Sequence, residues 1–166
     1  MGANDLFGIP SSNPTPGGYT KREQFGFITF GPGFGTLVGT PIVNSYRIGD
    51  RLFCQGQIQC GTVANSEISL QLPAGLNING ALLIGGTTLR LGIWNIFSTG
   101  AGFGIFPIGK GGALFYDQAD TTKLFMAYQT ASNVYVKDTG TTILGNQQYM
   151  DFEFSVPIRQ WAVTSV

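Results

Sequence analysis

From Arg51 to Cys60 the chain alternates. Leu52, Cys54, Ile58 and Cys60, with Gly56 in step, hold every second position, and Gln55, Gln57 and Gln59 fill the places between. A period of two predicts a half-buried strand. Its apolar face looks to a core; its glutamine face looks to water or to a neighbouring subunit. Glutamine there supplies hydrogen bonding without charge, so two readings stand: a solvated sheet face and a polar subunit contact at Gln55, Gln57 and Gln59. The same period recurs at Ile68, Leu70 and Leu72, ended by Pro73 and Gly75. It recurs again where Phe152, Phe154, Val156 and Ile158 alternate with Asp151, Glu153, Ser155 and Pro157.

Further short strands are expected at 25–30, 81–84, 88–97, 102–108, 112–116, 124–128 and 133–136, with a last one over 149–157, while 41–46 leads into the run that follows it. Ile48, Gly49, Asp50 and Arg51 carry turn chemistry, and a second turn is expected at Ala64, Asn65 and Ser66. Gly92 and Gly104 inside strand runs suggest bulges or close backbone approach. No amphipathic helix of three turns and no fixed-period repeat is found. Many short strands with frequent turn signals predict an all-β domain over residues 25–166, an antiparallel β-sandwich of jelly-roll-like form.

Residues 1–24 read differently. Pro10, Pro14 and Pro16 fall within seven residues, which favours extended backbone. This segment reads as an extended N-terminal arm. One reading is a disordered tail. The other, which we favour, is an arm that docks on a partner through Leu6, Phe7, Ile9, Pro10 and Tyr19, because a solvating tail has little use for Leu-Phe-x-Ile.

Composition narrows the function. The chain has 166 residues, 9 basic and 9 acidic, and 25 glycines. That glycine share is roughly twice the usual ~7 % and fits many turns. Net charge of zero argues against a nucleic-acid partner. No membrane-spanning run, secretory signal or myristoylation pattern appears, since position 6 is Leu6. The expectation is a chain made in a cytoplasm that stays soluble.

There is no histidine, which removes the commonest general base and metal ligand. Cys54 and Cys60 face one side of one strand, roughly 20 Å apart when extended, too far for a disulfide. They read as small buried hydrophobes rather than a metal or redox pair. Asp151 and Glu153 are spaced as a glycosidase pair could be, but i, i+2 acids on a solvated face look the same. Asp117 and Asp120 share a loop without the calcium-loop pattern. Gly100–Gly104 and Gly109–Gly112 read as loops between strands, not phosphate cradles. No catalytic residue, metal or cofactor is expected. Aromatics suit core and interface packing; Tyr135 and Tyr149 are the candidate contacts to a glycan.

Three segments carry a resemblance: YRIGDRLFCQGQI at 46–58, ISLQLPAGLNI at 68–78 and FEFSVPIRQW at 152–161. In order and spacing, over about residues 25 to 162, they resemble the C-terminal β-sandwich domains of tailed-bacteriophage structural proteins. The resemblance implies a jelly-roll-like homotrimer in the virion. It also implies either a head decoration (cement) protein bound to the major capsid protein, or a tail-fibre tip that touches host surface glycans. Only a short arm precedes the domain and Met1 reads as a true start, so the expectation is a stand-alone cement protein, non-enzymatic, made in the host cytoplasm.

Overall fold

The computed structural model describes residues 23–24, 28–83, 90–99, 105–129, 135–137 and 139–162. The arm residues Leu6, Phe7, Ile9, Pro10 and Tyr19 lie outside them. Among the described residues the chain is all-β. Its strands are β1 (Glu23–Gln24), β2 (Thr29–Phe30), β3 (Ile42–Ile48), β4 (Arg51–Gln59) and β5 (Ser69–Gln71). They continue with β6 (Arg90–Thr99), β7 (Ile105–Asp117), β8 (Asp120–Gln129), β9 (Tyr135–Lys137) and β10 (Tyr149–Pro157). The longest helical element is one turn, α1 (Gly140–Ile143), so no described helix could cross a membrane.

Every strand pairing is antiparallel, and the strands follow one hydrogen-bonded path: β1, β3, β4, β10, β6, β7, β8, β5, β2, with β9 also on β8. The sheet curls back on itself. Phe30 of β2, at one end of the path, packs edge-on against Phe152 of β10 near its middle, ring centroids 6.0 Å apart.

Two irregular segments close the ends of the curl. At one end Ile78 N–H donates to the Thr121 carbonyl of β8, and Asn79 N–H to the Pro157 carbonyl of β10. At the other, Val38 N–H donates to Gln59 and Gly33 N–H to Glu67.

The period-two residues fill the interior. Leu52, Cys54 and Ile58 of β4, Ile68, Leu70 and Leu72 around β5, and Phe152, Phe154, Val156 and Ile158 along β10 all belong to one buried cluster. Trp94 of β6 belongs to the same cluster and is 1 % exposed. Its Nε1 donates to the carbonyls of both Ala113 and Ala127, at 3.2 Å each, so the indole ties β6 to β7 and β8 without leaving a buried donor unpaired.

Two expected elements differ. Of the expected strand at 81–84, residues 81–83 form none, and Ile84 lies outside the described residues; Gly80–Leu82 is a 3-10 turn, because Leu82 and Leu83 turn their N–H groups back onto Asn79 and Gly80. Residues 102–108 and 112–116 do not make two strands, since Gly109–Gly112 runs inside β7. The glycine there serves packing, not a loop: a Cβ on Gly112 would collide with the Trp94 ring and the Ala127 carbonyl. At Gly92 a Cβ would run into the Glu153 carbonyl, and the β6–β7 register shifts between Arg90 and Gly92, as the glycine suggested. Gly104 lies outside the described residues.

Cys54 and Cys60 are both buried and free. Burial pushes each thiol up to about 12, so the reactive thiolate is scarce at neutral pH. A chromogenic disulfide reagent at pH 8 is expected to leave the native protein unlabelled over minutes and to label both thiols once the chain is unfolded. Rapid native labelling would contradict this packing.

Candidate functional site

The side of β3, β4, β10 and β6 turned away from the core forms a face rich in amides, with Asp151 and Glu153 at its middle. Register sets its residues in rows. Ile42, Gln57, Asp151 and Asn95 make one row; Asn44, Gln55, Glu153 and Ile93 the next; Tyr46, Phe53 and Ser155 a third. On the opposite flank, Gln59 faces Tyr149, which faces Phe97. Alternation forces this arrangement: the intervening Cys54, Ile58, Met150, Phe152, Phe154, Trp94 and Ile96 point inward and are buried.

Two adjoining shallow depressions mark the face. One, of about 370 Å³, is lined by Ile42, Asn44, Gln55, Gln57, Asn95, Asp151 and Glu153 among others. The second, of about 440 Å³, shares Gln55, Ile93 and Glu153 and extends to Tyr46, Phe53 and Arg90. Tyr46 and Phe53 stack across the strand pair at 5.5 Å with rings 5° from parallel. Ile42 stands 64 % exposed and Ile48 43 %, an unusual exposure for side chains of this size on a sheet.

No cation lines the first depression. Arg51, at the end of the face, is committed to Ser155, its Nε donating to Oγ and its guanidinium to the carbonyl, both at 2.8 Å. One oxygen of Asp151, Oδ1, is buried and has no hydrogen-bond partner. Amides that donate and accept, carboxylates that accept, and exposed isoleucine together suit contact with another mixed polar and apolar surface. Asp151 and Glu153 both line the first depression, from one strand and two residues apart.

The structure therefore brings Gln55, Gln57, Gln59 and Tyr149 to one face. Tyr135 is not among them; it lies on β9, paired with Gln129 of β8. Asp117 and Asp120 face each other at the β7–β8 hairpin turn. Asp120 is turned inward to its own neighbours: it accepts from the Thr122 hydroxyl at 2.6 Å and sits 3.2 Å from Lys123. The Thr122 hydrogen bond, with help from Lys123, holds its carboxyl below the ordinary range. The hydrogen bond from Lys123 to Glu67, at 2.8 Å, holds the ammonium above its own.

Comparison with family models, with curated proteins and with solved structures finds no match. The face itself is the ground for a functional reading.

Sequence reasoning missed half of that face. Ile42, Asn44, Asn95, Ile93 and Arg90 were not singled out. Their signal was present, since Ile42, Asn44 and Tyr46 alternate with Val43 and Ser45 as the glutamines do. For Asp151 and Glu153 the sequence favours a solvated pair over a glycosidase pair; Glu153 is exposed, whereas Asp151 is half-buried among amides.

Proposed function

We propose that this chain is a non-enzymatic bacteriophage virion structural protein, a homotrimeric capsid decoration or cement protein whose subunits meet through the face of β3, β4, β10 and β6. The observation that carries the reading is this face: rows of amides beside a 64 % exposed Ile42. A face meant only for water gains nothing from exposed isoleucine; a face meant for a partner does. The resemblance of residues 46–58, 68–78 and 152–161 to phage β-sandwich domains supplies the virion setting. In this reading the curled sheet is the jelly-roll-like body. The arm residues Leu6, Phe7, Ile9, Pro10 and Tyr19 lie along seams of the major capsid protein.

Three arms on one trimer act together, so weak single contacts gain avidity. Binding the assembled shell and not its parts then shifts the shell away from rupture by mass action.

The test is mass per particle when undecorated heads are mixed with intact protein or with a form that begins at Arg22. Saturation at fixed stoichiometry by the intact protein alone supports the cement reading and the anchoring arm. Absence of binding by both rejects it for those heads.

The depression where Asp151, Glu153 and the amides converge, one row from Tyr149, favours a second reading: a tail module that binds host surface glycan. Retention of an immobilised glycan by the intact protein, lost on Glu153→Ala, would support it over the cement reading.

A further inference from the structure

We propose that the proline-rich part of the arm, Pro14 to Pro16, docks on the second depression of its own chain, against the stacked Tyr46 and Phe53. This concerns the free protein and stands or falls apart from the shell-binding reading above. It fixes the root from which Leu6, Phe7, Ile9 and Pro10 reach outward.

The depression, of about 440 Å³, has the size of a ligand pocket. Its wall is the Tyr46–Phe53 stack, half-buried, with rings 5° from parallel. Gln55, Arg90 and Glu153 line it too, and all three are exposed. The ion pairs formed among the described residues belong to Lys123, so none holds Arg90. Aromatic rings beside uncommitted donors suit a proline-rich strand. Such backbone makes no internal hydrogen bonds, which leaves its carbonyls open to Arg90 and to the Gln55 amide. Its rings pack on aromatic faces, and the fixed φ means that little freedom is lost on docking.

The tether names the occupant. β1 pairs Gln24 with Tyr46 and Glu23 with Arg47, so the arm joins the sheet beside the stack. The far side of the depression, on β6, is four strand spacings from β1, about 19 Å at ~4.8 Å each. Pro16 stands seven residues before Glu23, a reach of about 23 Å at ~3.3 Å per residue. Gly17 and Gly18, between them, supply the reversal of direction. A segment tethered this closely meets the depression at an effective concentration on the order of millimolar, which a partner in solution would have to exceed. The docked stretch covers the Tyr46 end of the face and leaves the Ile42 row to the subunit contact.

The test traps the arm in the full chain. Thr15→Cys and Glu153→Cys are combined, and disulfide formation under mild oxidation is followed by mass and by non-reducing electrophoresis. Cys54 and Cys60 are buried and stay out of the exchange. Expected is a rapid bond within one chain, slowed at least ~10-fold when Pro14→Ala and Pro16→Ala remove the proline rings. Those two changes lie outside the β-domain. Phe53→Leu, with circular dichroism to confirm folding, is expected to slow the bond as well. A bond that forms as fast without the prolines overturns the proposal, since tethering alone then accounts for it. A bond formed mainly between two chains gives the depression to a second copy's arm and overturns docking within one chain. No bond at all, while both new thiols react with a small reagent, overturns it too. Each of these results leaves the cement reading to the mass of the decorated heads.

Discussion

A chain carrying Ile42→Glu together with Asn44→Glu is expected to fold as the wild type does and to sediment as a monomer. Both positions are exposed on β3, and their cross-strand neighbours, Gln57 and Gln55, are neutral. Surface changes of this kind leave stability within roughly 0.5 kcal/mol. Assembly is another matter. In the proposed contact the two carboxylates lose water beside a face that already holds Asp151 and Glu153. The effective desolvation penalty is several kcal/mol per unpaired ion, so the dissociation constant should rise at least ~100-fold, since each ~1.4 kcal/mol is tenfold. Sedimentation velocity over a concentration series reads this directly. An unchanged trimer would place the subunit contact elsewhere on the molecule.

The largest effect on folding is expected from Trp94→Ala. The indole is 1 % exposed, rests against Gly112 and shares one N–H between two carbonyls. Removal leaves a cavity walled by β6, β7 and β8 and strips Ala113 and Ala127 of that donor. Truncation of a buried tryptophan costs about 3–5 kcal/mol, a large part of the ~5–15 kcal/mol that holds a typical domain together. Trp94→Phe keeps most of the apolar contact and loses the donor, so it should cost less, about 1–3 kcal/mol. Urea unfolding of the three proteins checks the order. A loss under about 1 kcal/mol for Trp94→Ala would mean that the ring is not the joint between those strands.

The core was legible in the sequence because period-two alternation has a simple physical cause. Successive side chains leave a strand on opposite sides, so burying one side fixes which residues are apolar. Leu52, Cys54 and Ile58, and likewise Phe152, Phe154 and Val156, were placed correctly for that reason. The glycines were harder. Gly112 reads as punctuation in one dimension, yet its missing side chain makes room for a tryptophan 18 positions earlier. Such a pairing is set by tertiary register, which no local pattern encodes. At residues 81–84 the chain shows an apolar run, but the N–H groups of Leu82 and Leu83 close locally into a turn.

The face was half legible. The glutamines of β4 announced it through their regular spacing. Asn95 and Arg90 joined it only because β10 pairs with both β4 and β6, which depends on strand order. Tyr135 and Tyr149 look alike in sequence, and topology separates them.

The account rests on one chain meeting its copies through this face. The most direct test is the mass of the intact protein by sedimentation equilibrium at micromolar concentration. It predicts about three times the 17.7 kDa of one chain, and a single-chain mass across the concentration range would contradict it.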